Sequence, residues 1–156
     1  MIDLEELSHF LIRARREKST SEEKECIEKR AELTLFTYLE TPWEYSSQSS
    51  GFFMTSETEI VKDQKKVIWT MSCAGGMLPS HHENEALTLK TYSFLKRALL
   101  RMHPLEPYRG PNEYTEKEFE YTNSWEGNLA HIFGRENILY EQIIIYEQNY
   151  MGGLII

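Results

Sequence analysis

Apolar residues follow a helical spacing at the start of the chain. Four of them within residues 2–17 lie three or four positions apart: Leu4, Leu7, Leu11 and Ala14. This spacing predicts an amphipathic helix whose apolar stripe packs against the rest of the protein. Residues 18–32 are almost all charged or small, so we interpret them as a mobile or variable segment.

The apolar period changes from about 3.6 to two at Leu33, which predicts strands. One further helix is expected at 86–102, before Pro104. Turns are expected at the Ser-rich stretch 46–51, at Gly75-Gly76 and at Gly127-Asn128. The predicted strand segments are 33–39, 43–45, 52–54, 59–61, 67–71, 119–125, 129–133, 138–140 and 143–150.

Two segments of the chain resemble each other. Residues 66–78 read KVIWTMSCAGGML and residues 143–155 read IIIYEQNYMGGLI. Alignment of the two regions also superposes Glu44-Tyr45 on Glu120-Tyr121, Glu59 on Glu136 and Trp69 on Tyr146. The aligned strands keep their faces in register, whereas a slip of one residue would exchange them.

This similarity predicts one α+β domain over residues 1–156. We expect an antiparallel β-sheet built from two helix-plus-β-meander units, at about 1–78 and 84–156, with the helices packed on the sheet. The strands that close the two units would then be central, which would explain why Ile143-Ile144-Ile145 is apolar on both faces. Chance similarity between two meanders is the alternative explanation.

Composition and charge narrow the function classes. The chain has 156 residues, 40% hydrophobic and 27% charged, as is ordinary for a soluble globular protein. Its net charge of −8 argues against direct nucleic-acid binding, which needs clustered Lys and Arg. The acidic N-terminus is no signal peptide, and no apolar run is long enough to span a membrane. Cys26 and Cys73 have no CxxC spacing, so we expect free thiols and a cytoplasmic protein.

Motifs for catalysis or metal binding are weak. His81-His82 is followed by Glu85, but adjacent histidines point apart and no third ligand is near in sequence. Cys73 would need a histidine from elsewhere to act as a nucleophile. The sequence therefore predicts no catalytic residue, no metal site and no cofactor.

Aromatic and charged residues on the predicted strands are the candidates for a ligand site. Glu44 and Glu120 occupy matching positions, each flanked by aromatics, although strand alternation would turn them away from those neighbours. A solvent-facing role is the alternative for both carboxylates, and an ion pair within the fold is the alternative for Arg109. The candidate ligand-binding residues are Trp43, Glu44, Tyr45, Trp69, Arg109, Glu120, Tyr121 and Tyr146.

The second half also resembles a known family. YRGPNEY at 108–114, FGRENI at 133–138 and YEQNYMGGLI at 146–155 are similar to segments of small bacterial proteins catalogued as a domain of unknown function. Members of that family occur alone or behind a helix-turn-helix domain of the phage-repressor type. The resemblance implies a ligand-sensing role but no activity. This chain differs from the family pattern at 18–32 and shows no helix-turn-helix, so DNA binding is not implied.

Three functions remain open from the sequence. The leading hypothesis is a non-enzymatic module that binds a small molecule or regulates a partner. The second is a protein–protein interaction domain that forms a homodimer through an aromatic sheet face. The third is an enzyme with acid/base chemistry on Glu44, Glu120 and Arg109. A cavity lined by Trp43, Trp69, Tyr121 and Tyr146 would favour the first, an exposed apolar face the second, and carboxylates of raised pKa the third.

Overall fold

The computed structural model describes residues 2–21 and 33–156, and this part of the chain is an α+β protein. It contains helices α1 (Leu4–Ser21) and α2 (Glu85–Leu99) and a short 3-10 helix at Pro79–His81. Its eight strands are β1 (Thr34–Glu40), β2 (Trp43–Gly51), β3 (Met54–Asp63), β4 (Lys66–Met77), β5 (Glu113–Glu116), β6 (Phe119–Asn128), β7 (His131–Tyr140) and β8 (Ile143–Leu154).

All eight strands form one antiparallel sheet in the order β1-β2-β3-β4-β8-β7-β6-β5. We call β1–β4 the first half and β5–β8 the second half. Helix α1 precedes the first half and α2 precedes the second. Strand β4 pairs with β8 from Trp69 opposite Leu154 to Met77 opposite Tyr146. The two similar sequence segments are therefore neighbours at the centre of the sheet.

Both helices cover the same face of the sheet. The predicted stripe of α1 is buried at Leu7, Leu11 and Ala14 and packs with Trp43 and Trp69. On α2, Phe94, Leu95 and Ala98 pack with strand residues of the second half such as Tyr121 and Tyr146. Because strand side chains alternate between faces, the residues between these buried positions point to the opposite face. That face is exposed at the centre of the sheet, for example at Ser72 and Asn149.

Except for β1, the predicted strands are longer than expected, and the strand predicted at 52–54 is instead a bend at 52–53 followed by the start of β3. The Ser-rich stretch 46–51 belongs to β2, and Gly75-Gly76 lies inside β4 rather than ending it. The turn expected at Gly127-Asn128 is at residues 129–130 instead. Strand β5 was not predicted at all. Local turn composition was misleading here because pairing with a neighbouring strand satisfies the backbone of Ser and Gly as well as that of other residues.

Helix α1 continues to Ser21, four residues beyond the predicted end. The remainder of the segment predicted as mobile or variable, residues 22–32 with Cys26, lies outside the described residues. Helix α2 begins at Glu85 and ends at Leu99, close to its predicted bounds. Asn84 caps α2, since its side chain accepts a hydrogen bond from the Leu87 N–H at 3.0 Å.

Matching irregularities occur in the two halves. The β3–β4 pairing skips Ile68, and the β7–β8 pairing skips Ile145, so each strand has a bulge at the same aligned position. Gly51 and Gly127 both have positive φ, +99° and +89°, at the equivalent hairpin ends. We expected residues 143–145 to be apolar because β8 is a central strand buried on both faces. This explanation is wrong, because Ile143 and Ile144 are 63% and 41% exposed.

Neither described helix is long and apolar enough to cross a membrane.

Candidate functional site

Two buried carboxylates lie on the covered face, one in each half of the sheet. Glu59 on β3 and Glu136 on β7 are 2% and 0% exposed. Each accepts a hydrogen bond from a tyrosine hydroxyl, Tyr45 at 2.8 Å and Tyr121 at 2.7 Å. Each also pairs with an arginine. We call Arg15–Glu59–Tyr45 the first triad and Arg109–Glu136–Tyr121 the second triad.

Strand register places the tyrosine and the carboxylate of each triad side by side. Tyr45 pairs with Val61, two residues beyond Glu59, and Tyr121 pairs with Ile138, two residues beyond Glu136. Residues two apart on a strand point to the same face, so the carboxylate is diagonal to the tyrosine on the neighbouring strand. The geometry is the same in both halves.

Arg15 in α1 supplies the cation of the first triad. Its Nε and Nη2 atoms donate to the two Glu59 oxygens at 3.0 and 2.5 Å, and Nη1 donates to the Pro107 carbonyl at 2.6 Å. Burial disfavours the charged carboxylate, but the Arg15 charge and its hydrogen bonds outweigh burial and lower the pKa of Glu59 to about 2. Burial and the nearby Glu59 charge raise the pKa of Tyr45 well above its usual value.

The second triad belongs to a larger buried network. Arg109 donates from Nε and Nη2 to Glu136 Oε1, at 3.2 and 2.9 Å. Gln148 Nε2 donates to the same oxygen at 2.9 Å, and Gln148 Oε1 accepts from the Tyr146 hydroxyl at 2.9 Å. Although burial opposes its charge, Glu136 and other acidic neighbours raise the pKa of Arg109 well above its usual value. Arg109 therefore stays protonated in the protein interior.

Two hydrogen bonds of the neighbouring Gly110 fix the backbone that carries Arg109. The Gly110 N–H donates to the Tyr121 hydroxyl at 3.1 Å, and the Gly110 carbonyl accepts from Asn123 Nδ2 at 3.1 Å. A Cβ atom at position 110 would lie 2.7 Å from the Tyr121 hydroxyl oxygen, so only glycine permits this close approach. Arg109 forms an ion pair within the fold, which the sequence analysis gave as the alternative to ligand binding, and its partner is Glu136.

A cleft of about 320 Å³ opens beside the two triads. Glu59 and Gln148 border it from the sheet, Arg15 from α1, and Arg109 from the segment between α2 and β5. Glu57 also borders the cleft, and its carboxylate contacts Lys18 Nζ and lies 3.7 Å from Arg109 Nη1. Residues of three kinds form the other walls: apolar ones from α2 and beyond it, hydroxyl-bearing ones from the β2–β3 hairpin, and polar or charged ones from the end of α1. They include Leu95, Leu99, Met102, Ser49, Thr55 and Ser19.

Six of the eight candidate residues lie on the covered face: Trp43, Tyr45, Trp69, Arg109, Tyr121 and Tyr146. Of these, Arg109 and Tyr146 border the cleft, whereas Trp43 and Trp69 belong to the packed core under α1. Glu44 lies between buried Trp43 and Tyr45 and therefore points to the opposite face, where it pairs with Lys62 at 3.2 Å. Glu120 has the same position between buried Phe119 and Tyr121.

Sequence reasoning missed Arg15, Glu59, Glu136 and Gln148 as site residues. One signal was available, because the alignment of the two segments superposes Glu59 on Glu136 and strand alternation puts each on the face of its tyrosine. Their arginine partners are 44 and 27 residues distant along the chain, which no local pattern reveals.

In the described part of the chain, the remaining thiol and imidazole groups do not form a site of their own. Burial raises the pKa of the Cys73 thiol to about 12, so the thiol is protonated near neutral pH. His82 Nε2 lies 2.8 Å from the Met77 carbonyl oxygen, and its ring stacks on Phe53. Within residues 2–21 and 33–156, no three His, Cys, Asp or Glu side chains are grouped as metal ligands would be.

The fold and the site together define an α+β protein with a single antiparallel sheet, two helices on one face and a charged cleft between them. The chain belongs to the family described as a domain of unknown function, DUF5680, whose model matches residues 46–155. Neither a curated protein nor a solved structure matches the chain.

Proposed function

We propose that this protein is a non-enzymatic module that binds a small organic molecule in the cleft beside the two triads. The observation that supports this most is the cleft itself, whose volume of about 320 Å³ is at the lower end of the range for ligand pockets. Its walls combine apolar side chains with fixed polar groups, which is the usual composition of such pockets. The resemblance to proteins that carry helix-turn-helix domains motivates a ligand-sensing, regulatory role.

The two-unit description belongs to the same proposal. We infer that the chain is one cytoplasmic domain in which two helix-plus-meander units share the sheet. The two-unit description is supported by the matching bulges at Ile68 and Ile145 and by the two Tyr–Glu–Arg triads. In this arrangement the cleft receives residues from both units, so a bound ligand would contact both.

An acid/base enzyme receives less support. The candidate carboxylates Glu44 and Glu120 point away from the cleft. Glu59, which does border it, is held charged by Arg15 and has a pKa of about 2, far below that of a general acid or base at neutral pH.

A homodimer through an aromatic sheet face also receives less support. The aromatic side chains of β2, β4, β6 and β8 are mostly on the face that the helices cover. On the opposite face, Met151 and Phe133 are 62% and 49% exposed and lie opposite each other. Their outer cross-strand neighbours, Ser72 and Glu126, are polar, so the apolar patch is narrow at this point.

Native mass spectrometry of the protein as purified from its host tests the proposal. We expect an additional small mass on the wild-type protein and its loss in Ser49→Trp, because the larger ring would fill the cleft. Ser72→Trp, on the exposed face, is the matched control and should retain the mass. A ligand-free dimer in all three proteins would contradict the proposal and favour an interaction domain.

A further inference from the structure

The cleft concentrates positive charge in an acidic protein. Among the residues that the structure describes, its lining contains more cations than carboxylates, although the chain as a whole carries a net charge of −8. The cations are Arg15, Arg16, Lys18, Lys96 and Arg109, and the carboxylates are Glu57 and Glu59. Counting Glu136 behind Arg109 still leaves five cations against three carboxylates. An excess of positive charge at a cleft attracts anionic ligands.

One buried cation has hydrogen-bonding capacity to spare. The Arg109 side chain is 7% exposed and uses Nε and Nη2 for Glu136. The third guanidinium nitrogen, Nη1, lies 3.7 Å from Glu57 Oε2, which is too far for a hydrogen bond. Within the described part of the chain, Nη1 donates no hydrogen bond, although Arg109 borders the cleft. A charged guanidinium N–H at the border of a cleft forms strong hydrogen bonds to anionic oxygens, so this nitrogen is suited to one from a ligand.

The wall opposite the sheet is apolar. Leu95 and Leu99 from α2, with Leu100 and Met102 just beyond its end, border the cleft together with Tyr92. A small inorganic anion would leave this wall in contact with water. An organic body attached to the anionic group would cover it and gain from the removal of apolar surface from water.

We propose that the ligand is an amphipathic organic anion, with its charged group at Arg109 Nη1 and its apolar body against α2. This inference rests on the proposed function and specifies the chemical class of the ligand. Ser49 and Thr55 on the facing wall carry hydroxyl groups, which could form hydrogen bonds with a polar substituent on the apolar body of the ligand.

Two fluorescent probes of nearly the same shape separate charge from apolar contact. The first is 8-anilinonaphthalene-1-sulfonate, and the second is N-phenyl-1-naphthylamine, which has the same aromatic skeleton without the sulfonate. We expect the sulfonate probe to bind the full chain more tightly than the neutral probe. Added salt should weaken the binding of the sulfonate probe and leave that of the neutral probe nearly unchanged.

Charge-reversal variants test whether the preference for the sulfonate probe comes from the charges at the cleft. Arg16 is exposed at the cleft, and Arg16→Glu should weaken binding of the sulfonate probe about fivefold, the scale expected for charges near a protein surface, without affecting the neutral probe. Arg135 is exposed on the opposite face of the sheet, so Arg135→Glu makes the same change in net charge away from the cleft. That control should alter binding less than about twofold.

Variants that fill the cleft separate failure of the anion inference from failure of the proposed function. Ser49→Trp and Leu100→Trp fill the cleft from opposite walls and should abolish binding of both probes, with circular dichroism confirming the fold of each variant. If the neutral probe binds as tightly as the sulfonate and both are lost in these variants, the anion inference is overturned while the proposed function stands. If neither probe binds, or if binding survives both variants, the proposed function is overturned as well.

Discussion

At the scale of single residues, the unusual feature is the burial of charged groups whose partners come from distant parts of the chain. Glu59 is 2% exposed and is stabilised as a carboxylate by a bidentate contact with Arg15 and a hydrogen bond from Tyr45. Removal of one partner from such a buried pair leaves the other charge uncompensated in the interior, which is strongly destabilising.

We therefore expect Glu59→Gln to lower the free energy of unfolding at pH 7 by roughly 3 kcal/mol, measured by urea denaturation. The matched control is Glu44→Gln, since Glu44 forms an ion pair with Lys62 on the solvent-facing side with about a third of each side chain exposed. Such pairs contribute little, and the control should lose less than about 1 kcal/mol.

The same pair predicts a pH dependence. The pKa of Glu59 is about 2 in the folded protein and 4.5 as an ordinary carboxyl. A depressed folded-state pKa stabilises the protein above the unfolded value, and this stabilisation is lost as pH falls from about 4.5 towards 2. Between pH 4.5 and 2, the free energy of unfolding of the wild-type protein should fall by roughly 3 kcal/mol more than that of Glu59→Gln. Equal losses in the two proteins would exclude charged Glu59 as the source.

At the scale of elements, strand alternation decides which candidate residues reach the covered face. The pattern Trp43–Glu44–Tyr45 and its counterpart Phe119–Glu120–Tyr121 put aromatics under the helices and carboxylates outside. This could be read from the sequence. The length of the strands could not, because Ser and Gly within β2 and β4 have turn-like composition but are paired with neighbouring strands. The pairing is on both sides except at Ser50 and Gly51, which pair only with β3.

Helix α2 supplies the apolar wall of the cleft, and its first turn depends on one cap. Asn84→Ala removes the acceptor for the Leu87 N–H and should cost about 1 kcal/mol of unfolding free energy. Asn84→Asp keeps an acceptor at the same place and should lose less than half of that. If thermal or urea denaturation finds the two variants equally destabilised, the cap does not stabilise α2 in the manner described.

At the scale of the whole molecule, β4 and β8 join the two halves into one continuous sheet. These strands pair over residues 69–77 and 146–154, and helices α1 and α2 cover the same face. Trp69 Nε1 in the first half also donates to the Leu129 carbonyl in the second, at 3.0 Å. The halves therefore share both backbone pairing and core contacts.

This continuity predicts that the two halves unfold together. In Trp125→Phe the remaining tryptophans, Trp43 and Trp69, both lie on strands of the first half. Their fluorescence therefore reports that half and, through the contact of Trp69 with Leu129, its junction with the second half. We expect the urea transition followed by tryptophan fluorescence to coincide with the transition followed by far-ultraviolet circular dichroism of the whole chain, as in a two-state system. Two separate transitions would show that each half is stable without the other.

The sequence by itself determined the α+β class, the two helices, the approximate position of every strand except β5, and the face on which the residues of a predicted strand lie. These properties follow from periods of 3.6 and two among neighbouring residues, which local sequence contains. Only the tertiary structure decided the register in which β4 pairs with β8 and the contacts of Arg15 and Arg109 with Glu59 and Glu136. Such contacts join segments far apart in the chain, and their distances are fixed by the packing of the whole sheet rather than by any local pattern.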